Sequence, residues 1–510
     1  MNIPIICGET FFGDFMKSRD DFLLVEDVKE MSLGAVNKSA VENGRIIKEI
    51  FGGSFDIVVK KGYCAGKCVV FANCDGLCDS MRICEAIINP MLRFQGELTK
   101  GYELDYICTH LIYSTEQSRE KDLSSAVMML LRGCLLVFLE GESECLVLGV
   151  QHYPERSIQE PDTGVQEFGA REGFTENIKT NLTLLRKKIC SSKLCAELSE
   201  VGKQSKTRIL ICYMQGRVEK EMLLRVKRRL EKLEMDTVLG SGYLRKALDT
   251  KAITPFTMVG QTERPDVFAA KLCEGKIGII VDGTPFALVV PELFVEKFQT
   301  LDDYINRPYY ATFMRGVRFL AFLISIFLPG MFVAIGLFHQ EMIPDDMLFN
   351  IVLMESNTLF TLTMEALVIH FIYETVREAG LRMPKSIGHA VSIVGALVIG
   401  DAAVTAGLIG APMLIIVALT AICSLVSSDL YQPISVLRIL FILVGGFSGL
   451  YGIFIGGAVL VVVLSSMTAY GVPYLAPFSP FRWKFLRDSI FRTSTNKLEK
   501  QIFRIKNLRK

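Results

Sequence analysis

The sequence predicts an α/β cytosolic region of two subdomains followed by an all-α polytopic membrane domain. Three observations carry that prediction. Half of the 510 residues are hydrophobic, a larger share than an ordinary soluble enzyme carries. Charge is spread through residues 1–300, whereas long uncharged runs begin after Arg318. Within those runs stand single carboxylates, and an ionised Asp or Glu at mid-bilayer costs about 2.5 kcal/mol or more unless it is paired or wet. The expected boundaries are 1–160 for the first subdomain, 161–300 for a linker and the second, 301–480 for the membrane helices and 481–510 for a basic cytosolic tail.

The opening "MNIPIICGETFFGDFMKSRDD" has no basic start, long apolar core or small-residue cleavage site, so no signal peptide is expected. "SFDIVVKKGYCAGKCVVFAN" reads as two strands joined by a turn, and "GLCDSMRICEAIINPML" as an amphipathic helix. "CLLVFLEGESECLVLGV" reads as a hairpin. The chain has 14 cysteines; Cys64, Cys68, Cys74, Cys78 and Cys84 crowd one segment at C-x3-C spacing, without the second CxxC or His pair of a zinc site. They are expected to be reduced thiols filling space as small hydrophobes, and no metal or cofactor is expected. After a Pro-, Gly- and charge-rich connection, "RILICYMQG" is a strand and "KEMLLRVKRRLEKLE" a helix. "KIGIIVDGTPFALVV" is a hairpin around Asp282-Gly283. Acids interleave the bases along 220–234, so that run reads as a solvated helix face; with a net charge of +1, no nucleic-acid partner is expected.

Residues 319–338, "FLAFLISIFLPGMFVAIGLF", are long enough to cross a hydrocarbon core of ~30 Å. A second apolar stretch, 347–373, is interrupted by Glu355 and Glu365. The run 386–428 holds Asp401 as its single charge and breaks at Gly410-Ala411-Pro412. Residues 439–481 carry no charge; as one helix they would extend about 65 Å, so they must fold back. Arg307, Arg315 and Arg318, the Arg377–Lys385 cluster and the basic tail put both ends on the cytoplasmic side, hence four or six crossings.

On a continuous helix Glu355, Thr358, Thr361 and Glu365 share one face, which either bonds neighbouring helices or lines a wet cavity. Asp401 reads as a buried partner for Arg377, Arg382 or His389, with a pore ligand as the alternative. His339 and Glu341 read as an interfacial pair, and His370 as a satisfied helix residue. Gly445, Gly449, Gly452 and Gly456 form a smooth ridge for close helix packing. No P-loop, HExxH or GxSxG motif is present, and the five histidines are scattered, so no catalytic residue is assigned and no enzyme is expected. No internal repeat is visible.

Several long segments resemble one family. "RSIQEPDTGVQEFGAREGFTENIKTNLTLLRKKI", "QTERPDVFAAKLCEGKIGIIVDGTPFALVVP", "FHQEMIP", "REAGLRMPKSIG", "IVGALVIGDAAVTAG", "FSGLYGIF" and "AYGVPYLAPFSP" follow the order of the GerA family of spore germination proteins, specifically nutrient-receptor A subunits. The resemblance implies a multi-pass protein of the spore inner membrane working with a transporter-like B subunit and a lipoprotein C subunit. It further implies a homo-oligomeric ring, with a pentamer as the stoichiometry, that conducts monovalent cations. Under that resemblance Glu365 is the leading ion-path candidate, with Glu341 at the mouth and Asp401 packed behind it. Two alternatives stay open: the related channel component associated with dipicolinate release, and a secondary transporter. "NTLFTLTMEA" lacks the family's prolines ahead of Glu365, which predicts a more regular helix there.

Overall fold

The computed structural model describes residues 34–96, 103–112, 114, 116–152, 161, 169–249, 254–356, 358–383, 398, 400–481 and 488–492. Several readings lie partly or wholly outside them: the opening segment, the Pro-, Gly- and charge-rich connection, the Arg377–Lys385 cluster, the first part of the 386–428 run with His389, and the tail beyond Arg492.

The first α/β unit opens with helix α1 (Ala40–Ile50) and the hairpin β1 (Ile57–Cys64) and β2 (Lys67–Cys74). Cys64 pairs with Lys67 across a two-residue turn. Ala65 and Gly66 there both take positive φ, the left-handed pair a tight hairpin requires. The CAGKC spacing is therefore a turn, with Cys64 buried beneath it. Helical turns over 80–93 and 103–111 follow, then β3 (Gln117–Glu120), α2 (Leu123–Leu131) and the hairpin β4 (Cys134–Leu139) and β5 (Cys145–Gly149). The sheet order is β1-β2-β4-β5-β3, antiparallel throughout. Alternate residues serve opposite faces: Val70, Ala72, Leu136 and Phe138 pack under α1 and α2. Val69, Phe71, Leu135 and Val137 pack under the 80–111 turns. A strand covered on both faces reads as continuously apolar, as "CLLVFL" does.

The second unit repeats this plan. Helix α3 (Ile178–Lys188) precedes the hairpin β6 (Leu194–Val201) and β7 (Thr207–Met214). Helices α4 (Lys220–Glu231) and α5 (Ser241–Leu248), strand β8 (Gly260–Thr262), helix α6 (Pro265–Cys273) and the hairpin β9 (Ile277–Val281) and β10 (Ala287–Val290) complete it. Its order, β6-β7-β9-β10-β8, matches the first sheet strand for strand. Helices α3 and α6 cover one face and α4 and α5 the other. The sequence shows no repeat because apolar alternation, not residue identity, specifies each strand.

The units join through buried polar contacts. Arg186 on α3 reaches Asp56 at the start of β1 with Nε 2.6 Å from Oδ2, and donates to Ser54 Oγ at 3.0 Å. Ser54 Oγ in turn accepts the Ala196 N–H at 3.1 Å. Burial would push the Asp56 carboxyl up, but the Arg186 guanidinium beside it holds it below its ordinary value.

The helical region starts at α7 (Pro308–Phe338), with proline in the first turn where no N–H is needed. Arg315 and Arg318, read from sequence as charge flanking a span, converge on Asp303 at 3.0 and 2.9 Å, and both Arg315 and Asp303 are buried. Then come α8 (Asp345–Glu355), α9 (Leu362–Arg382), a helical stretch over 400–405, α10 (Ala411–Val426) and α11 (Tyr431–Ser466). Residues 308–338 and 428–466 are long and apolar enough to cross a membrane.

Element α11 is two helices. At Gly449 the backbone takes φ 60° and ψ −155°, a conformation reserved for glycine. The chain reverses there. Gly456 comes back against the Phe441 ring, and Gly457 approaches Phe327 of α7. Such proximity is impossible for one straight rod, in which positions 441 and 456 would be about 22 Å apart. The fold-back required by the uncharged 439–481 run is thus made at a single glycine. A two-residue hairpin, β11 (Thr468–Ala469) with β12 (Val472–Pro473), follows and packs on the second α/β unit.

Candidate functional site

The polar stripe expected on one helix lies across a break. Helix α8 ends at Glu355 and α9 begins at Leu362, so the more regular helix expected ahead of Glu365 does not form. Side chains that compete for backbone partners end it. Ser356 Oγ donates to the Leu353 carbonyl at 2.8 Å, and Thr358 Oγ1 to the Glu355 carbonyl at 2.8 Å. Thr361 caps α9 with extended backbone, and its carbonyl accepts the Glu365 N–H at 2.9 Å.

A second break lies beside the first. The 400–405 helix stops at Ala406-Gly407, and α10 restarts at Ala411 after Gly410. The two breaks are bonded, since the Leu359 N–H donates to the Gly407 carbonyl at 2.9 Å. The Gly410 N–H, at the start of α10, donates to Glu365 Oε1. Glu365 thereby caps α10 from another helix, where the aligned peptide dipoles favour negative charge. Its side chain is wholly buried and its Oε2 has no hydrogen-bond partner among the described residues.

Glu355 converges on the same point. A methyl group on Gly410 would stand 3.0 Å from Glu355 Oε1 and 3.3 Å from Glu365 Oε1. Glycine lets both carboxyl groups approach. Two carboxylates this close, among apolar helices, repel strongly unless a cation or a proton lies between them.

The other expected residues are elsewhere. Asp401 is exposed, not buried against an arginine; Arg377 lies beside Glu374 and Arg382 bonds Glu378. Those arginines already have acids a helical turn away on α9, which leaves Asp401 on the outer face. His339 and Glu341 make no ion pair among the described residues, and Glu341 is exposed on the turn Gln340–Met342. His370 is satisfied at Nδ1 by the Ala366 carbonyl at 2.7 Å, whereas its Nε2 has no partner among the described residues.

The glycines do not form one ridge. Gly445 crosses Gly330 of α7 backbone to backbone, and Gly449 makes the reversal. Gly452 and Gly456 face the first half of their own element, at Val444, Ser448 and Phe441. The four glycines serve separate contacts within the chain because the reversal at Gly449 turns the two halves of α11 onto different neighbours.

Sequence reasoning missed a polar set nearer the α/β units. Arg438, buried in α11, donates from Nε to the Ser325 carbonyl at 2.9 Å, tying α11 to α7. Glu374 accepts from Tyr431 Oη at 2.7 Å and from Ser435 Oγ at 2.8 Å. Tyr431, Ser435 and Arg438 follow a 4-then-3 spacing, one helix face. That period is present in the sequence, where Arg438 stands directly ahead of the uncharged run 439–481.

Two α/β units of one shared strand order, followed by a helical region with two helices long and apolar enough to cross a membrane and two carboxylates at a double helix break, define the class of this chain. The family model described as Bacillus/Clostridium GerA spore germination protein matches residues 45–502. The chain belongs to the GerA family of spore germination proteins. Spore germination protein KA of Bacillus subtilis (strain 168) is 37% identical over 464 residues, covering 90% of this chain and 85% of the relative. Spore germination protein GerLA of Bacillus cereus is 29% identical, covering 89% and 93%. The crystal structure of the N-terminal domain of the A subunit of the Bacillus megaterium spore germinant receptor GerK3 aligns at 26% identity. It covers 51% of this chain and 98% of that domain, with a TM-score of 0.38.

Proposed function

We propose that the chain is the A subunit of a spore germinant receptor, anchored in the spore inner membrane, where it helps gate a cation path at the onset of germination. Boundaries at residues 160, 300 and 480 separate two α/β subdomains, a membrane helical domain and a basic tail, with the α/β half and the tail on the cytoplasmic side. The transporter-like B subunit, the lipoprotein C subunit and further copies of this chain in a ring, a pentamer in the simplest form, are its partners.

One observation supports the ion path above the others: the Glu355–Glu365 convergence at two broken helices. Acidic groups held in an apolar environment attract monovalent cations, and Glu365 Oε2, without a hydrogen-bond partner among the described residues, is available to one. In this reading Glu355 and Glu365 hold the ion, with Thr358 and Thr361 beside them. Glu341 stands at the mouth and Asp401 on a neighbouring exposed face.

The test uses spores carrying Glu365→Gln and, separately, Glu355→Gln. Gln keeps the acceptor oxygen for the Gly410 N–H while removing the charge. Nutrient-triggered monovalent ion release should slow by at least tenfold with receptor level unchanged. Wild-type release in both strains would remove this pair from the path.

A further inference from the structure

Helix α4 was read from sequence as a solvated charged face. One edge of it lines a cavity of about 460 Å³ against the β11–β12 hairpin. Arg225, Arg228, Arg229 and Lys232 line the helix side, with Thr468 and Tyr470 opposite. No carboxylate lines it among the described residues, although acids interleave the helix sequence; Arg225, Arg228 and Lys232 stand at helical spacing on one face. Glu221, one turn before Arg225, pairs with it at 3.0 Å, which leaves Arg228 and Lys232 as lining charges with no acid paired to them among the described residues.

The cavity is built rather than incidental. Arg229 is held by the Ala247 carbonyl at 2.7 Å, and Tyr470 Oη donates to the Leu248 carbonyl at 2.8 Å, so both walls are fixed to α5. Tyr470 and Gly471 take positive φ, which turns the hairpin tip into the cleft. Arg228 and Lys232 are exposed and make no ion pair among the described residues. Their charge is therefore available to a ligand.

Position narrows the ligand. The hairpin leaves the apolar half of α11 directly, and Thr468 lies within about 7 Å of chain from Ser466. Val459, Val461 and Val462, one to two turns earlier, are exposed apolar side chains. If that half-helix is in a bilayer, the cleft opens at headgroup depth, where basic side chains attract anionic lipid.

We infer that this cleft binds a phosphate-bearing anion, presented as the headgroup of an anionic phospholipid such as phosphatidylglycerol. The inference rests on the membrane reading above. A headgroup there would clamp the second α/β unit to the end of the last apolar helix, so that bilayer composition bears on how rigidly the two halves are coupled.

The test titrates the full chain in mild detergent with fluorescent phosphatidylglycerol and, in parallel, phosphatidylcholine carrying the same chains and label. Wild-type protein should prefer phosphatidylglycerol. The pair Arg228→Ala with Lys232→Ala should weaken phosphatidylglycerol binding by about 25-fold, from roughly fivefold per basic side chain at a membrane surface. Arg228→Lys with Lys232→Arg should retain it, as should Lys220→Ala outside the cleft. Equal binding of the two lipids by wild type, or no loss in the alanine pair, would overturn the assignment. Full displacement of phosphatidylglycerol by millimolar inorganic phosphate would overturn the lipid as ligand in favour of a soluble anion. Alkaline carbonate extraction reads the membrane premise separately. Release of the wild-type chain sinks that premise, whereas retention with equal lipid binding sinks the headgroup site alone.

Discussion

Gly330 of α7 and Gly445 of α11 cross with no side chain between them. A methyl group on Gly330 would lie 2.5 Å from the Phe441 carbonyl oxygen, and one on Gly445 would strike the Gly330 carbonyl. The contact fixes where the long helices meet. We predict that Gly445→Ala destabilises the helical region by about 1–3 kcal/mol through overpacking. Thermal unfolding in detergent, followed by fluorescence, would measure it; a stability equal to wild type would mean that the helices do not cross here.

Gly449 sets the reversal by conformation rather than by packing. Its φ of 60° with ψ near −155° should cost about 1–3 kcal/mol for any residue with a Cβ. Gly449→Ala should therefore straighten or loosen the hairpin. Spin labels at positions 440 and 457 would report a longer separation in the variant, and an unchanged short distance would refute the assignment.

Arg186 and Asp56 join the two α/β units with both side chains almost fully buried. Removing one partner strands the other charge, so Arg186→Met should cost about 3–5 kcal/mol. Pairing it with Asp56→Leu should return most of the loss. A double variant as unstable as the single would show that geometry, not charge, dominates.

Glu296 titrates in a buried cluster with Lys271 and Lys276. Burial would raise its carboxyl, but the two lysines hold it at about 2, below its ordinary 4.5. A carboxyl whose folded value is depressed contributes stability above its unfolded value and loses it as pH falls toward the folded one. Acid titration of the wild-type chain should show stability falling between about pH 4.5 and 2. Glu296→Gln should be less stable at neutral pH and flatter across that window; parallel curves would exclude Glu296 as the cause.

The strands were legible because their signal is local. "CLLVFL" and "KIGIIV" are apolar over the length of a buried strand, and Asp282-Gly283 sits in a recognisable turn between β9 and β10. The carboxylates at 355 and 365 were equally visible as charges in apolar runs. Their environment was not, because it is made by Gly410, 45 residues beyond Glu365. Asp401 shows the same limit from the other side. Its neighbours in sequence suggested burial, yet the arginines expected to meet it are bonded to nearer acids on α9.

By itself the sequence determined several of the strands, helix α4 and the apolar runs long enough to cross a bilayer, and it carried the family motifs. Periodicity and hydrophobic length are properties of consecutive residues, so no fold is needed to read them. Only the tertiary structure decided that the α/β plan occurs twice, that α11 reverses at Gly449, and that two broken helices bring Glu355, Glu365 and Gly410 to one point. Each of these depends on contacts between distant positions, whose energies arise only when the chain is packed.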